Sequence, residues 1–338
     1  MARLVVLALV LASPSFAQDG PVPASAALAG QIAAARPNPE AGPTRVSIGL
    51  YVIDISKIDA VEQSMTADFA VRLTWRDPRL ASPDAQTREF PMNSVWSPRV
   101  TVVNKRRIWK TWPDTVRVDS AGNVQYNQRF YGTLTARLDL HDFPFDNNTI
   151  RIELISAGHS TDEVELVLDE TVTGRTPDFS LVDASIGVSE VTTGDFYFAP
   201  ADINMPKLTY EFDVHRYTAY YLWKIILPLT IIVFMSWLVF WIDPAQFGPQ
   251  IGLAATAVLT LIAYRFLLGS LIPRVSYLTR LDIFIMGATV LVFLGMVEAV
   301  ASARIAQTDE KRARLVDRLS RVVFPCAFLV VGYLAFFA

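Results

Sequence analysis

Side chains capable of bond-making chemistry are few and widely spaced in this chain. No metal-ligand cluster, phosphate-cradling loop or nucleophile with a base at usable spacing occurs, which argues against an enzyme and against a bound cofactor or metal. A different chemistry is encoded between residues 248 and 270. There Gly248, Gly252, Ala263, Phe266 and Ser270 fall within about 40° of Leu259 on a helix that advances about 100° per residue, with Thr256 near 60°. Hydroxyls can replace part of an ion's water, and apolar rings can close a wet path by dewetting. A symmetric ring of such helices puts Leu259 and Phe266 as apolar constrictions above a hydroxyl ring at Thr256. Gly248, Gly252 and Thr256 also fit small-xxx-small helix packing, so both readings stand at this point. Leu253, Ala254, Leu261, Leu268 and Leu271 form the opposite, packing surface. Arg265, about 120° from the stripe, must face a neighbouring helix, water or a carboxylate, because a charge among acyl chains is costly.

A stripe of this kind needs a membrane frame, and the composition supplies one. Apolar residues make up 52% of the chain, too many for an ordinary soluble protein. Four long apolar runs cover about 220–241, 251–272, 283–305 and 322–337. A run of about twenty residues spans roughly 30 Å as a helix, enough to cross a hydrocarbon core. The connection between the third and fourth runs carries Lys311, Arg312, Arg314 and Arg318, flanked by Arg304 and Arg321, and the positive-inside rule makes it cytoplasmic. Residues 1–17 read as a signal peptide, with Arg3, an apolar core and Ser15-Phe16-Ala17 before the cut. Export and four crossings put both the N-terminal domain and the C-terminus on the extracytoplasmic side. The formal net charge of −3 gives no basic signature, so nucleic acid is excluded as a partner. The single cysteine, Cys326, allows no intrachain disulfide.

Residues 18–43 are rich in Ala and Pro and read as a linker or short helix. From 44 to 215 the pattern becomes short alternating runs. Phe69, Val71, Leu73 and Trp75 point one way while Asp68, Arg72 and Thr74 point the other, the mark of a half-buried strand. Similar runs separated by turn signals such as Ala121-Gly122-Asn123 predict a β-sandwich of Greek-key, immunoglobulin-like type. The expected architecture is therefore an all-β extracellular sandwich at 44–215 followed by an all-α four-helix transmembrane domain at 216–338.

From residue 46 onward the chain resembles the prokaryotic pentameric ligand-gated ion channels, bacterial relatives of the Cys-loop receptors. The likeness rests on Trp75-Arg76-Asp77-Pro78-Arg79-Leu80, Trp96-Ser97-Pro98 with Asn104, and Phe143-Pro144-Phe145-Asp146. It continues in Arg216, Ile226-Leu227-Pro228, Pro273-Arg274 and Tyr277. Alanine and isoleucine, at 136 and 150, stand where animal receptors have the cysteines of the loop. The resemblance implies a homopentamer, each subunit joined by four identical ones in lipid, conducting monovalent ions through a pore lined by the second helix. It also implies a coupling cluster of Asp59, Pro144, Phe145, Asp146, Arg216, Pro273, Arg274 and Tyr277 between the two domains. Carboxylates beside a guanidinium can form charge-assisted pairs there, which serve either coupling or static structure.

The implied agonist site is poorly furnished. Ala70, Val103 and Ala157 occupy positions that are aromatic in acetylcholine receptors, leaving Phe196, Tyr197 and Phe198 as aromatic candidates and Arg129 as one for an anionic or zwitterionic ligand. Packing aromatics and a solvated arginine explain the same residues. Proton activation is the other option the family offers, with Asp59, Glu62, His141, His159 and His215 available to titrate. The mouth sequence Gln246-Phe247-Gly248-Pro249-Gln250 carries no carboxylate. A cation channel is expected from bacterial kinship, with anion conduction open. The rival reading is a non-conducting membrane sensor or adhesion module with a β-sandwich binding domain.

Overall fold

The computed structural model describes residues 35–83, 86–269, 272 and 275–337. The expected signal peptide, most of the Ala/Pro segment, Ser270, Leu271, Pro273 and Arg274 lie outside the described residues.

Among the described residues, twelve strands precede the helices in two sheets. The first sheet is built on β1 (Thr44–Asp59), β2 (Ser64–Arg76) and β7 (Asn123–Thr135), extended by β6 (Thr115–Val118) and β3 (Arg88–Pro91). Strands β5 (Lys105–Lys110), β9 (Val164–Leu168) and β10 (Gly174–Arg175) pair along it. The second sheet runs β11 (Ala184–Phe198), β12 (Ile203–Arg216), β8 (Asn147–Ser156) and β4 (Val100–Val102). Alternation sets which face each strand buries: Phe69, Val71, Leu73 and Trp75 are at most 3% exposed. Ile48 and Leu50 on β1 and Ile150, Ile152, Tyr210 and Phe212 on the second sheet complete the core between the sheets. Each such large apolar side chain contributes about 1.5–3 kcal/mol on burial, which lets the sandwich stand without a disulfide.

Two of the quoted motifs meet in this core. Trp75 and Trp96 pack edge to face with centroids 6.1 Å apart. Asp77, fully buried, caps the turn Pro78–Leu80 through the Arg79 N–H and forms an ion pair with the Arg79 guanidinium at 2.7 Å. Asn104 joins the two sheets, donating to the carbonyls of Thr135 and Arg151 and accepting from the Glu153 N–H.

Among the described residues four helices follow that are long and apolar enough to cross a membrane: α1 (Ala219–Trp241), α2 (Phe247–Leu268), α3 (Arg280–Ala306) and α4 (Glu310–Phe336). Helix α1 contains a π-turn at Leu222–Ile226, just before Pro228. Proline has no N–H to offer the carbonyl four residues back, that of Lys224. The Tyr264 hydroxyl of α2 reaches this region, donating to the carbonyls of Ile225 at 2.9 Å and Lys224 at 3.3 Å. Helix α3 opens with a capping box in which Thr279 and Asp282 satisfy each other's backbone N–H. Helices α2 and α4 start earlier than the apolar runs at 251 and 322, because Phe247–Gln250 and the charged Glu310–Arg321 turns continue the helices beyond their apolar stretches.

Candidate functional site: the domain junction and the exposed stripe of α2

The loop between β7 and β8 descends onto the helices, held by ring contacts, hydrogen bonds and an ion pair. Tyr277, in the segment before α3, stacks on His141 with centroids 3.8 Å apart, and its hydroxyl accepts from the Leu140 N–H at 3.0 Å. The first N–H groups of α3, those of Arg280 and Leu281, would lack intrahelical acceptors. They donate instead to the carbonyls of His141 and Phe143, at 3.0 and 3.1 Å. The Arg280 guanidinium pairs with Asp142 at 2.6 Å and also donates to the Phe336 carbonyl at the end of α4. Phe145 meets the Phe336 ring edge to face at 5.6 Å, while Pro144 is buried within the loop.

Arg216 ends β12 directly above α1. Its Nε donates to Asp146 Oδ1 at 2.9 Å and its Nη2 to Oδ2 at 3.2 Å, and the guanidinium lies 5.3 Å from the Phe143 ring centroid. Asn148 donates a further hydrogen bond to Asp146 at 2.7 Å. Burial works against the arginine's charge, but the hydrogen bonds and charge of Asp146 outweigh it and raise its pKa above the ordinary value.

Asp59 takes a different partner. It accepts from Lys57 at 2.6 Å and from the Glu62 N–H at 2.9 Å, and it shares with Arg216 only the wall of a cleft of about 550 Å³. Partial burial would raise its pKa, yet the Lys57 and backbone hydrogen bonds hold the carboxyl below the usual range. The structure thus brings Asp146, Arg216, Phe145 and Tyr277 to one junction and sets Asp59 on its rim. Reading the sequence alone did not single out Asp142, Arg280 and Phe336; the Thr279-to-Asp282 cap was the available signal for Arg280.

The agonist candidates lie apart from one another in the fold. Arg129 is held in a bidentate pair with Asp68, at 2.9 and 2.6 Å, and its pKa is raised by those hydrogen bonds and by the aspartate's charge. Its charge is therefore already matched within the chain. Phe196, Tyr197 and Phe198 lie at the tip of the β11–β12 hairpin. Tyr197 is 59% exposed and donates to Asp202 at 2.9 Å, Phe198 is exposed, and Phe196 lines a cleft with Val103, Asn104 and Arg151.

On α2 the described stripe residues Gly248, Gly252, Thr256, Leu259, Ala263 and Phe266 are all exposed on the subunit, whereas Gln250, Ala254, Ala257, Leu261 and Leu268 are buried against the other helices. Arg265 is exposed as well. Thr256 donates its hydroxyl to the Gly252 carbonyl at 2.7 Å, leaving the oxygen's lone pairs as acceptors. Asp243, in the turn before α2, lies 3.5 Å from Arg314 of α4.

Residues 31–218 match the family described as the neurotransmitter-gated ion-channel ligand binding domain, and residues 225–309 match the neurotransmitter-gated ion-channel transmembrane region. The chain is similar to a proton-gated ion channel of Gloeobacter violaceus, 26% identical over 87% of this chain and 83% of that one. It is also similar to the gamma-aminobutyric acid receptor subunit rho-2 of Bos taurus and to a gamma-aminobutyric acid receptor subunit beta of Lymnaea stagnalis. Each is 28% identical, over 83% and 85% of this chain respectively, and the chain spans 62% of the length of both.

Proposed function

Because the chain belongs to the neurotransmitter-gated ion-channel family, we propose that it assembles as a homopentamer whose α2 helices wall an ion pore. One observation carries this reading: the small, hydroxylated and apolar stripe of α2 faces away from its own subunit while the opposite face is packed. Thr256 would offer acceptor oxygens to a partly dehydrated ion, and Leu259 and Phe266 would form the dewetting constrictions. Helix packing between subunits could also use Gly248, Gly252 and Thr256, but it gives no role to the exposed Leu259 and Phe266 that continue the stripe.

In the same reading the junction transmits the state of the sandwich to the pore. Movement of the β7–β8 loop pulls on the start of α3 through Arg280 and Tyr277, and movement of β12 pulls on α1 through Arg216. Pro273 and Arg274 join this contact by family likeness. The agonist is a small molecule or the proton, and the similarity to a channel named as proton-gated supports the second. The setting is a bacterial inner membrane with the sandwich and the C-terminus outside the cytoplasm, consistent with the basic α3–α4 connection.

Cation conduction follows from bacterial kinship. Anion conduction is the second reading, favoured by the absence of a carboxylate from Gln246 to Gln250 and by the engagement of Asp243 with Arg314. Expression in oocytes or reconstitution in bilayers, with a ligand and pH screen and reversal potentials under ion substitution, tests all of this. A gated current is expected. Its absence across the screen favours the non-conducting sensor.

A further inference from the structure

Far from the sandwich, the helical bundle buries two carboxylates that none of the roles above uses. Glu298 lies on α3 about 27 Å beyond Arg280 at about 1.5 Å per residue, and Asp317 lies on the facing turns of α4 at 1% exposure. Ser302, one turn after Glu298 on the same face of α3, bonds Asp317, which sets the two carboxylates at neighbouring levels of the α3–α4 seam. Both Glu298 carboxylate oxygens and Asp317 Oδ2 are shut off from solvent and have no hydrogen-bond partner among the described residues, while the other Asp317 oxygen accepts from the buried Ser302 hydroxyl.

An ionised carboxylate only accepts hydrogen bonds, so two of them facing each other leave their oxygens opposed and unsatisfied. A cation bonded to the pair would relieve this, but among the described residues no ion pair to either carboxylate is made, and the nearest guanidinium acts on Asp317 through its charge alone. On α4, Arg321 donates to the Phe240 carbonyl at 2.9 Å and lies over the Trp241 ring at 4.5 Å. From the turn after α1, Asp243 adds a further negative charge and is itself paired with Arg314. Ser320 adjoins Glu298 but brings no charge.

We propose that Glu298 and Asp317 form a proton-binding site, holding one proton between them as a carboxylic acid–carboxylate hydrogen bond across the α3–α4 seam. One proton taken from water turns one acceptor into a donor; the O–H points at the remaining carboxylate, and the pair keeps a single negative charge. The seam is tight at this level. One turn earlier, a Cβ on Gly295 would stand 2.6 Å from the Ser236 Oγ of α1 and 3.5 Å from the Phe324 ring of α4. Loss of the shared proton sets two like charges against each other in that tight contact and drives α4 from α3. Since α3 also packs on α2, proton occupancy biases the helix that bears the exposed stripe. This deepens the gating reading and rests on it for its consequence, but proton binding itself does not depend on conduction.

Infrared difference spectroscopy of the detergent-solubilised full chain tests the site without a current. At about pH 7, where exposed acids are ionised, wild type should show a protonated carboxylic acid band that vanishes at alkaline pH. Glu298→Gln and Asp317→Asn should each abolish it. The thermal midpoint of wild type should fall over the same alkaline range, and the midpoints of both variants should be flat there. A wild type without the band, a band surviving both substitutions, or a titration displaced by added sodium or calcium would overturn the proposal. Should either amide variant fail to fold, the exchanges Glu298→Asp and Asp317→Glu must keep a titrating band, and its loss counts equally against the site. A conducting channel without the band leaves the pore reading intact and removes this site; a band without conduction does the reverse.

Discussion

Arg216 and Asp146 meet through two nearly parallel hydrogen bonds at 2.9 and 3.2 Å, with the arginine side chain 6% and the aspartate 2% exposed. The pair sits where the last strand of the sandwich becomes the first membrane helix. A fork of this kind fixes orientation as well as charge, because the planar guanidinium matches both carboxylate oxygens.

Removing one partner strands the other charge away from water. Asp146→Ala should therefore cost about 3–5 kcal/mol, and Arg216→Lys should not restore wild-type stability, since an ammonium cannot make the fork. Denaturation midpoints of the solubilised protein measure both. An Asp146→Ala protein as stable as wild type would show that the pair contributes nothing.

Asp59 predicts a pH dependence of defined sign. Its carboxyl is held below the usual range by Lys57 and backbone hydrogen bonds, so its contribution is complete above the unfolded value of about 3.9 and disappears as pH falls through the lower folded value. The stability gap between wild type and Asp59→Asn should be constant near neutrality and close only below about pH 4. A gap that changes between neutral pH and that point would assign the dependence to another group.

Tyr264→Phe removes the hydroxyl that serves the π-turn of α1. With the Lys224 and Ile225 carbonyls left short of a donor, stability should drop by about 1–3 kcal/mol, read as a lowered thermal midpoint. No change would mean that water replaces the hydroxyl.

If Leu259 forms a closed constriction, Leu259→Ser should ease opening, because a hydroxyl wets the ring. Loss of about 1.5 kcal/mol of apolar burial corresponds to roughly a tenfold fall in the agonist or proton concentration for half-activation. Unaltered activation in a conducting channel would remove Leu259 from the gate.

Thiol accessibility reads the stripe directly. After replacement of the exposed native Cys326, Gly252→Cys, Thr256→Cys and Ala263→Cys should react with water-soluble thiol reagents in an activation-dependent manner, and Ala257→Cys should not. Uniform protection along the stripe would favour helix packing in place of a pore.

Periodicity is a local property, and it was enough for much of this molecule. Alternation at Phe69 to Trp75 marked the buried face of β2, four apolar runs marked the spans, and the angular distribution around Leu259 marked which side of α2 would be left exposed. Each follows from the fixed geometry of a strand or helix, which a short stretch of sequence carries by itself. The ordered motifs were likewise legible, though not their contacts, such as the edge-to-face meeting of Trp75 with Trp96.

Partnership between distant charges was decided only by the tertiary structure. Asp59 and Asp146 are both carboxylates suited to Arg216, yet Arg216 holds Asp146, and Asp59 turns to Lys57 two residues away. Arg129 looked free to meet a ligand and is occupied by Asp68 across the β2–β7 pairing. Nothing in the sequence marks Glu298 and Asp317 as neighbours, because their approach depends on how α3 and α4 pack rather than on either helix alone. A residue's type limits the bonds it can make; which bond forms is set by the long-range packing that brings one partner within reach and leaves the others outside it.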